Sequence, residues 1–311
     1  MTDVKRYILG INGGGTKTHA ILVAMDGTVI SEANGGPSNL QTVGVQQATK
    51  IIFELIDDCC TKADCGPDAL QSVVVGIAGA GRASDKTGLV DALLALATKK
   101  KFPLKNVVVE TDARIALEAA FAGAPGVALV AGTGSIALYR TEDGKIIRAG
   151  GWGRILGDEG GGFAIARDAL NAVMRQHDGR NEKTILTAKA LKHFETETVE
   201  EFIPKIYQNH IDVASFAPKV LEAVVERDRV AHNVLVKNSN ELVELVRVVT
   251  MLTRPKKKLP VALMGGMLES ENVYSKMVKE KIIGSLPHVV VQKPKFPAAF
   301  GAAIIGLNAF R

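Results

Sequence analysis

Short apolar runs alternate along this chain with longer stretches of helical periodicity, and glycine clusters mark many of the changeovers. Residues 7–11 (YILGI) read as a buried strand and residues 19–25 (HAILVAM) as a second. Between them lies Gly13-Gly14-Gly15-Thr16-Lys17-Thr18. Asp26-Gly27 then signals a hairpin turn into a third strand beginning over 28–31. Residues 46–57 have helical spacing. Residues 72–77 (SVVVGI) read as a strand ending at Ala78-Gly79-Ala80-Gly81, followed by an amphipathic helix over 86–99. A strand over 106–109 stops at Glu110-Thr111-Asp112, ahead of an alanine-rich helix over 113–122. Apolar strands alternating with helices predict a parallel sheet covered on both faces.

The opening pattern then returns. Residues 127–131 (VALVA) form a strand, Gly132-Thr133-Gly134-Ser135 a turn, 136–140 a strand, Asp143-Gly144 a hairpin turn and 145–148 a strand. The two sets begin roughly 120 residues apart, and duplication of a whole lobe is the economical explanation. From Phe163 the chain reads as mostly helical. Ala217-Pro218 marks a helix start, and 241–252 is a further amphipathic run. Strands follow over 259–263, ending at Met264-Gly265-Gly266, and over 288–291. A small-residue apolar helix over 298–307 closes the chain.

Composition changes this picture little. The 311 residues are 47% hydrophobic and 23% charged, within the ordinary soluble range, and the length predicts two lobes. The net charge of +5 is spread thinly. Its runs, Lys99-Lys100-Lys101 and Lys256-Lys257-Lys258, read as solvated loops rather than a nucleic-acid face. Cys59, Cys60 and Cys65 are odd in number and too closely spaced for a disulfide framework or a metal cage. With no leader pattern and no membrane-length apolar run, a cytoplasmic protein with reduced thiols is expected.

Five places carry candidate chemistry. The 13–18 turn lacks the spacing of a strand-to-helix phosphate loop. Its glycines still let backbone N–H groups approach phosphate oxygens, with Thr16, Thr18 and Lys17 adding donors and charge; the alternative is a plain tight hairpin. Thr133, Gly134 and Ser135 occupy the equivalent turn of the second set. Asp112, at the carboxyl end of a strand where α/β ligands sit, reads equally as a general base or as a helix N-cap. The segment from Gly150 to Gly162 holds the chain's one tryptophan, Trp152, among glycines, with Asp158 and Glu159 nearby. An indole there can stack on a sugar face while the carboxylates accept hydroxyl protons. Gly265-Gly266 lets a planar base or phosphate approach the backbone, or simply turns the chain into a helix. The six histidines are scattered.

Taken in order, INGGGTKT, SNL at Asn39, VGIAGAG, ETDA, VALVAGTGS, GGWGRILGDEGGG and VALMGG resemble one family over essentially the full length. It is the N-acetylglucosamine kinase/hexokinase branch of the BadF/BadG/BcrA/BcrD ATPase-like family, in the sugar kinase/Hsp70/actin superfamily. The resemblance implies an α/β fold of two ribonuclease-H-like (actin/hexokinase-like) lobes around an interdomain cleft that holds ATP and Mg²⁺. The first lobe would be 1–115, completed by a C-terminal helix over 297–311. The second would be 116–296, with a helical insertion. It implies that Gly13, Gly14, Gly15, Thr16, Lys17, Thr18, Thr133, Gly134 and Ser135 grip phosphates and that Gly265 and Gly266 lie near adenosine. Asp112 matches the catalytic base, and Asn39, Gly79, Asp112, Thr133, Trp152 and Asp158 fall where the family contacts sugar. A homodimer that phosphorylates a hexose or amino sugar, N-acetylglucosamine at O6, is the implied activity.

Two positions depart from the family. Asn12 stands where many members carry an acidic residue that helps hold hydrated Mg²⁺, and a neutral amide lowers the expected metal affinity. Gly161 replaces a serine and removes a hydroxyl contact. Two alternatives remain open in the sequence. One is an activator-type ATPase of the same family, which needs cysteines for an iron–sulfur cluster where this chain has none. The other is a non-catalytic nucleotide-dependent sugar sensor, which Asn12 favours.

Overall fold

A computed structural model describes residues 5–208, 211–251 and 258–310. Lys256 and Lys257 of the second basic run, and Leu252 at the end of the amphipathic run, lie outside them. The chain divides into two compact units, 1–124 with 294–311 and 125–293.

In the first unit, β1 (Tyr7–Gly13), β2 (Thr18–Ala24) and β3 (Val29–Gly35) form an antiparallel set. β4 (Leu70–Ile77) and β5 (Val107–Thr111) extend it in parallel, giving the order β3-β2-β1-β4-β5. The helices are α1 (Leu40–Lys62), α2 (Ala83–Lys99), α3 (Asp112–Phe121) and α10 (Ala298–Asn308). Strand alternation sorts the core into two faces. Leu9, Ile11, Val73 and Val75 pack with Ile52 and Ile56 of α1 and Leu89 and Leu93 of α2. Ile8, Ile21 and Val23 pack with Ala299, Ala303 and Leu307 of α10. The cysteines belong to the first face. Cys59 and Cys60 are buried, and burial pushes the Cys59 thiol up to about 11 and raises the other two as well.

The second unit contains β6 (Gly126–Ala131), β7 (Ser135–Arg140), β8 (Ile146–Gly150), β9 (Leu259–Met264) and β10 (Val289–Gln292), in the order β10-β9-β6-β7-β8. Read from the opposite edge, this is the strand order of the first unit. The hairpin turns repeat too. Ala24 N–H donates to Thr28 and Gly27 N–H to Ala24. Thr141 N–H likewise donates to Lys145 and Gly144 N–H to Thr141, with Gly27 and Gly144 both left-handed. The duplicated lobe read from the sequence is thus present as duplicated topology. The helices are α4 (Gly162–His177), α5 (Leu186–Phe194), α6 (Phe202–Tyr207), α7 (Ala217–Val225), α8 (Arg229–Met251) and α9 (Val273–Ser285).

The chain crosses between units after Ala124, not at residue 115, because a break there would cut α3. The α3 and α10 helices approach through glycine. A Cβ on Gly301 would strike the Ile115 carbonyl and lie 2.6 Å from the Ala119 nitrogen. Periodicity did not reveal α9. Its apolar positions are broken up by Lys276, Lys279 and Lys281, although Asn272 and Ser275 form a capping box at its start.

Gly301→Ala is expected to lower stability by about 2–3 kcal/mol through overpacking at backbone contacts that cannot yield. Gly284→Ala in α9, where a Cβ meets open space, is expected to be neutral or to stabilise by up to about 1 kcal/mol. Urea denaturation of both variants measures the contrast.

Candidate active site

The carboxyl ends of β1, β4 and β5 lie in register, with Gly13 beside Ile77 and Ile77 beside Thr111. Adjacent strands are about 4.8 Å apart, so the residues that follow these ends share one edge of the sheet. After β1 comes the 14–17 turn, closed by Gly14 N–H to the Lys17 carbonyl at 3.1 Å. Gly15, Thr16 and Lys17 are exposed. Gly13 is not part of that face. It is buried in the ladder, where a Cβ would fall 2.9 Å from Ile77.

After β4, Gly79 turns the chain at φ +86°, and a Cβ there would lie 2.8 Å from Asn39 Oδ1. The sequence-predicted pair Asn39 and Gly79 is therefore in direct contact. Asn39 also caps α1, accepting from Gln41 N–H at 2.9 Å. Asn12, half-buried, pairs with Gly76 in the ladder one step back from the edge.

After β5 comes Asp112. The two readings left open for it separate here, because Thr111 is the N-cap of α3. Its hydroxyl accepts from Arg114 N–H at 3.1 Å. Asp112 is the first residue inside the helix, half-buried, with Oδ1 accepting from Ala113 N–H at 2.9 Å. Thr111, and not Asp112, is therefore the N-cap residue.

In the second unit the loops after β6, β8 and β9 converge. Gly132 N–H donates to the Gly134 carbonyl at 3.0 Å, closing the turn that exposes Thr133. Gly162 N–H donates to Gly132 and Phe163 N–H to Thr133, at 2.8 and 2.9 Å. The Asp158 carboxylate lies against the Gly134 α-carbon, where a Cβ would sit 2.7 Å from its Cγ. Gly265, at φ +87°, packs on the Ala131 backbone, while Gly266 is exposed and a Cβ there would meet nothing within 4 Å. Thr133, Gly134, Asp158 and Gly265 are thus neighbours along one sheet edge. Trp152 is 67% exposed on the same loop as Asp158.

Two expected phosphate donors face the other way. Thr18 is fully buried, and its hydroxyl donates to the Gly36 carbonyl at 2.6 Å and lies 2.8 Å from Ser38 Oγ. Ser135 is buried as well and donates to the Glu159 carbonyl at 2.6 Å. These hydroxyls stand at the head of the second strand in each unit and fasten the loop after the third. Gly161 is constrained likewise, since a Cβ would come 2.6 Å from the Gly134 backbone. The structure explains the missing serine: no side chain fits there without moving the turn.

Sequence reading missed the supports beneath this loop. Asn238 of α8, 2% exposed, accepts from Gly160 N–H at 3.1 Å and donates to Asp168 Oδ2 at 3.1 Å and to the Val234 carbonyl at 3.0 Å. The buried Tyr274 hydroxyl donates to the Gly160 carbonyl at 2.8 Å. The signal was available: Asn238 interrupts the apolar stripe of α8 set by Val234, Leu235 and Leu242. Burial alone pushes the Asp168 carboxyl up, but Lys237, Asn238 and Arg167 together bring it below its ordinary value. Burial raises the Asp158 carboxyl, opposed by the Gly153 and Ser135 amides and by Arg148, while Glu159 adds to the rise.

Two α/β units of one strand order, each with a glycine turn after its first strand, define an actin/hexokinase-like protein of two ribonuclease-H-like lobes. The chain belongs to the BadF/BadG/BcrA/BcrD ATPase family, whose profile matches residues 9–306. It is 32% identical over 304 residues to the N-acetylmuramic acid/N-acetylglucosamine kinase of Clostridium acetobutylicum, covering 96% of this chain and 98% of that one. It is 28% identical over 319 residues to the N-acetyl-D-glucosamine kinase of Dictyostelium discoideum, covering 98% and 99%. A crystal structure from Chromobacterium violaceum, assigned as an N-acetylglucosamine kinase, superposes with a TM-score of 0.76 at 25% identity. That match covers 97% of this chain and 99% of that one.

Two expectations follow. Asn238→Ala leaves the buried Gly160 N–H without its acceptor and removes one of two donors from Asp168 Oδ2, which keeps Lys237, and is expected to cost about 1–3 kcal/mol in chemical denaturation. Asp158 holds its proton more tightly when folded than when unfolded. Stability is therefore lost as pH rises from the ordinary carboxyl range through the raised folded value. Across that window the thermal midpoint of wild type should fall with pH relative to that of Asp158→Asn, which lacks this component.

Proposed function

We propose that this protein is an ATP-dependent amino-sugar kinase that transfers the γ-phosphoryl group to O6 of N-acetylglucosamine, with Asp112 as general base. The observation that carries the assignment of the base is the position of Asp112: it is half-buried at the carboxyl end of β5, as the first residue inside α3, whose N-cap is Thr111. Full-length similarity to two curated amino-sugar kinases supports the substrate class.

In this reading Asp112 accepts the O6 proton as O6 forms its bond to the γ-phosphorus and the bond to the β,γ-bridging oxygen breaks, releasing ADP. The exposed Thr16, Lys17 and Thr133 serve the phosphates, with Gly14, Gly15 and Gly134 giving close backbone approach. Gly265 and Gly266 serve the adenosine. Asn39, Gly79, Trp152 and Asp158 serve the sugar. Thr18, Ser135 and Gly13 shape the turns from inside.

Mg²⁺ is the nucleotide's partner in this reading and offsets phosphate charge. The donors present do not make a metal cage: among the described residues no three of His, Cys, Asp and Glu come together, and Asn12 offers one neutral amide oxygen. Asn12 would meet a nucleotide-borne Mg²⁺ through water, and no protein-held ion enters the steps above.

The activator-type alternative loses ground. Its cluster needs available thiolates, and Cys59, Cys60 and Cys65 sit in or against the first unit's core with raised pKa values. No helix among the described residues is long and apolar enough to cross a membrane. A cytoplasmic homodimer completes the proposal.

The test is ATP-dependent ADP release with N-acetylglucosamine, glucosamine, glucose and N-acetylmuramate. N-acetylglucosamine should give the highest kcat/KM. Asp112→Asn should lose about 10²- to 10⁴-fold in turnover while sugar still perturbs Trp152 fluorescence. Sugar binding without stimulated ADP release would leave a sensor, and near-normal turnover in Asp112→Asn would remove the base.

A further inference from the structure

We propose that Arg148 is a positioning residue for the sugar site, backing one face of Trp152 so that the opposite face is presented to the sugar ring. This rests on the reading of Trp152 as a sugar platform.

The local chain poses a problem that Arg148 answers. Gly150, Gly151 and Gly153 are all left-handed, at φ +74°, +71° and +86°. Glycine reaches that region at no steric cost but also leaves it easily. A tryptophan set among three such residues and 67% exposed has little packing to hold it. Contact comes from Gly157, whose added Cβ would lie 3.0 Å from Trp152 Cβ. A mobile indole would make a poor platform, because its ordering would have to be repaid on every binding event.

Arg148 lies on β8, the edge strand, paired opposite Leu138. Its Nε donates to the Gly150 carbonyl at 3.0 Å and its Nη2 to the Gly151 carbonyl at 3.2 Å. Its guanidinium carbon stands 4.2 Å from the Trp152 ring centroid. One guanidinium therefore grips two carbonyls through its N–H groups and stands over the indole ring. Lysine cannot do both, because its ammonium is a point charge with no plane. The same charge opposes the burial that raises the Asp158 carboxyl. Arg148 thus reaches both residues that the loop offers to a sugar, without being required to touch the sugar itself.

The chain's single tryptophan makes the test direct, since all indole emission comes from Trp152. Acrylamide quenching and steady-state kinetics are measured on wild type, Arg148→Ala and Arg148→Lys, with N-acetylglucosamine as the probe. Arg148→Ala should raise the quenching constant about twofold and the sugar KM about tenfold, with the KM for ATP within about twofold of wild type. Arg148→Lys should lie nearer to alanine than to wild type. A structural role alone would not separate the two KM values. If Arg148→Ala fails to fold, Arg148→Lys and Arg148→Gln carry the same readouts. Unchanged quenching and sugar KM in a folded variant, or Arg148→Lys indistinguishable from wild type, overturns the clamp. Absence of any shielding of wild-type Trp152 by sugar removes the platform itself, and the proposal with it.

Discussion

Each unit depends on a buried hydroxyl at the head of its second strand. Thr18 fastens the loop after β3 through Gly36, and Ser135 fastens the loop after β8 through Glu159. The turn before each hydroxyl is held from the other side, its carbonyls accepting from backbone amides near the start of the next helix: Gly14 from Ser38 and Asn39, Gly132 from Gly162, Thr133 from Phe163. With the carbonyls occupied in this way, each turn shows solvent its side chains: Thr16 and Lys17 in one unit, Thr133 in the other. Buried hydrogen bonds of this kind are costly to leave unmade, about 1–3 kcal/mol per orphaned group. The turns are therefore set before a ligand arrives, as phosphoryl-transfer chemistry requires of groups that stabilise by position.

The same economy shapes the loop from Gly150 to Gly162. Its glycines serve different ends. Gly134 and Gly161 meet because neither carries a Cβ, which brings Asp158 against the turn, and Gly160 hangs from Asn238 and Tyr274. Asp158 itself is left-handed at φ +61°, a conformation aspartate tolerates at modest cost. A glycine-rich segment that looks slack in sequence is thus tied by close backbone contact and by two buried polar side chains from distant helices.

Much of this could be read from the residues. The strands of both lobes, the Asp-Gly hairpins, the duplication and the helices over 86–99, 113–122 and 298–307 followed from periodicity and turn chemistry. Those signals are local, and here the tertiary structure agrees with them. What could not be read was direction and partnership. Thr18 looked like a phosphate donor because a hydroxyl beside glycines carries no mark of which way it points, and its place in the strand alternation turned it inward. Asp112 and Thr111 are both good caps, and only backbone geometry decides between them. Asn238 was overlooked because its partner Gly160 lies 78 residues away, and Arg148 because its role depends on the reversal through Gly150 and Gly151. The α9 helix was missed because lysines break its apolar pattern.

The closing helix carries a consequence for how the protein is made. β1 through α3 leave the ribosome first, but Ile8, Ile21 and Val23 have their covering partners in α10, separated from them by the whole second unit. Until α10 emerges that face is covered only in part, by Ile115 of α3 against Val74, and the apolar surface of Ile8, Ile21 and Val23 is a site for misassociation. The second unit draws all of its strands from one continuous segment and can close its core during synthesis. The lobe synthesised first is therefore the lobe finished last, and chaperone dependence during translation should centre on it.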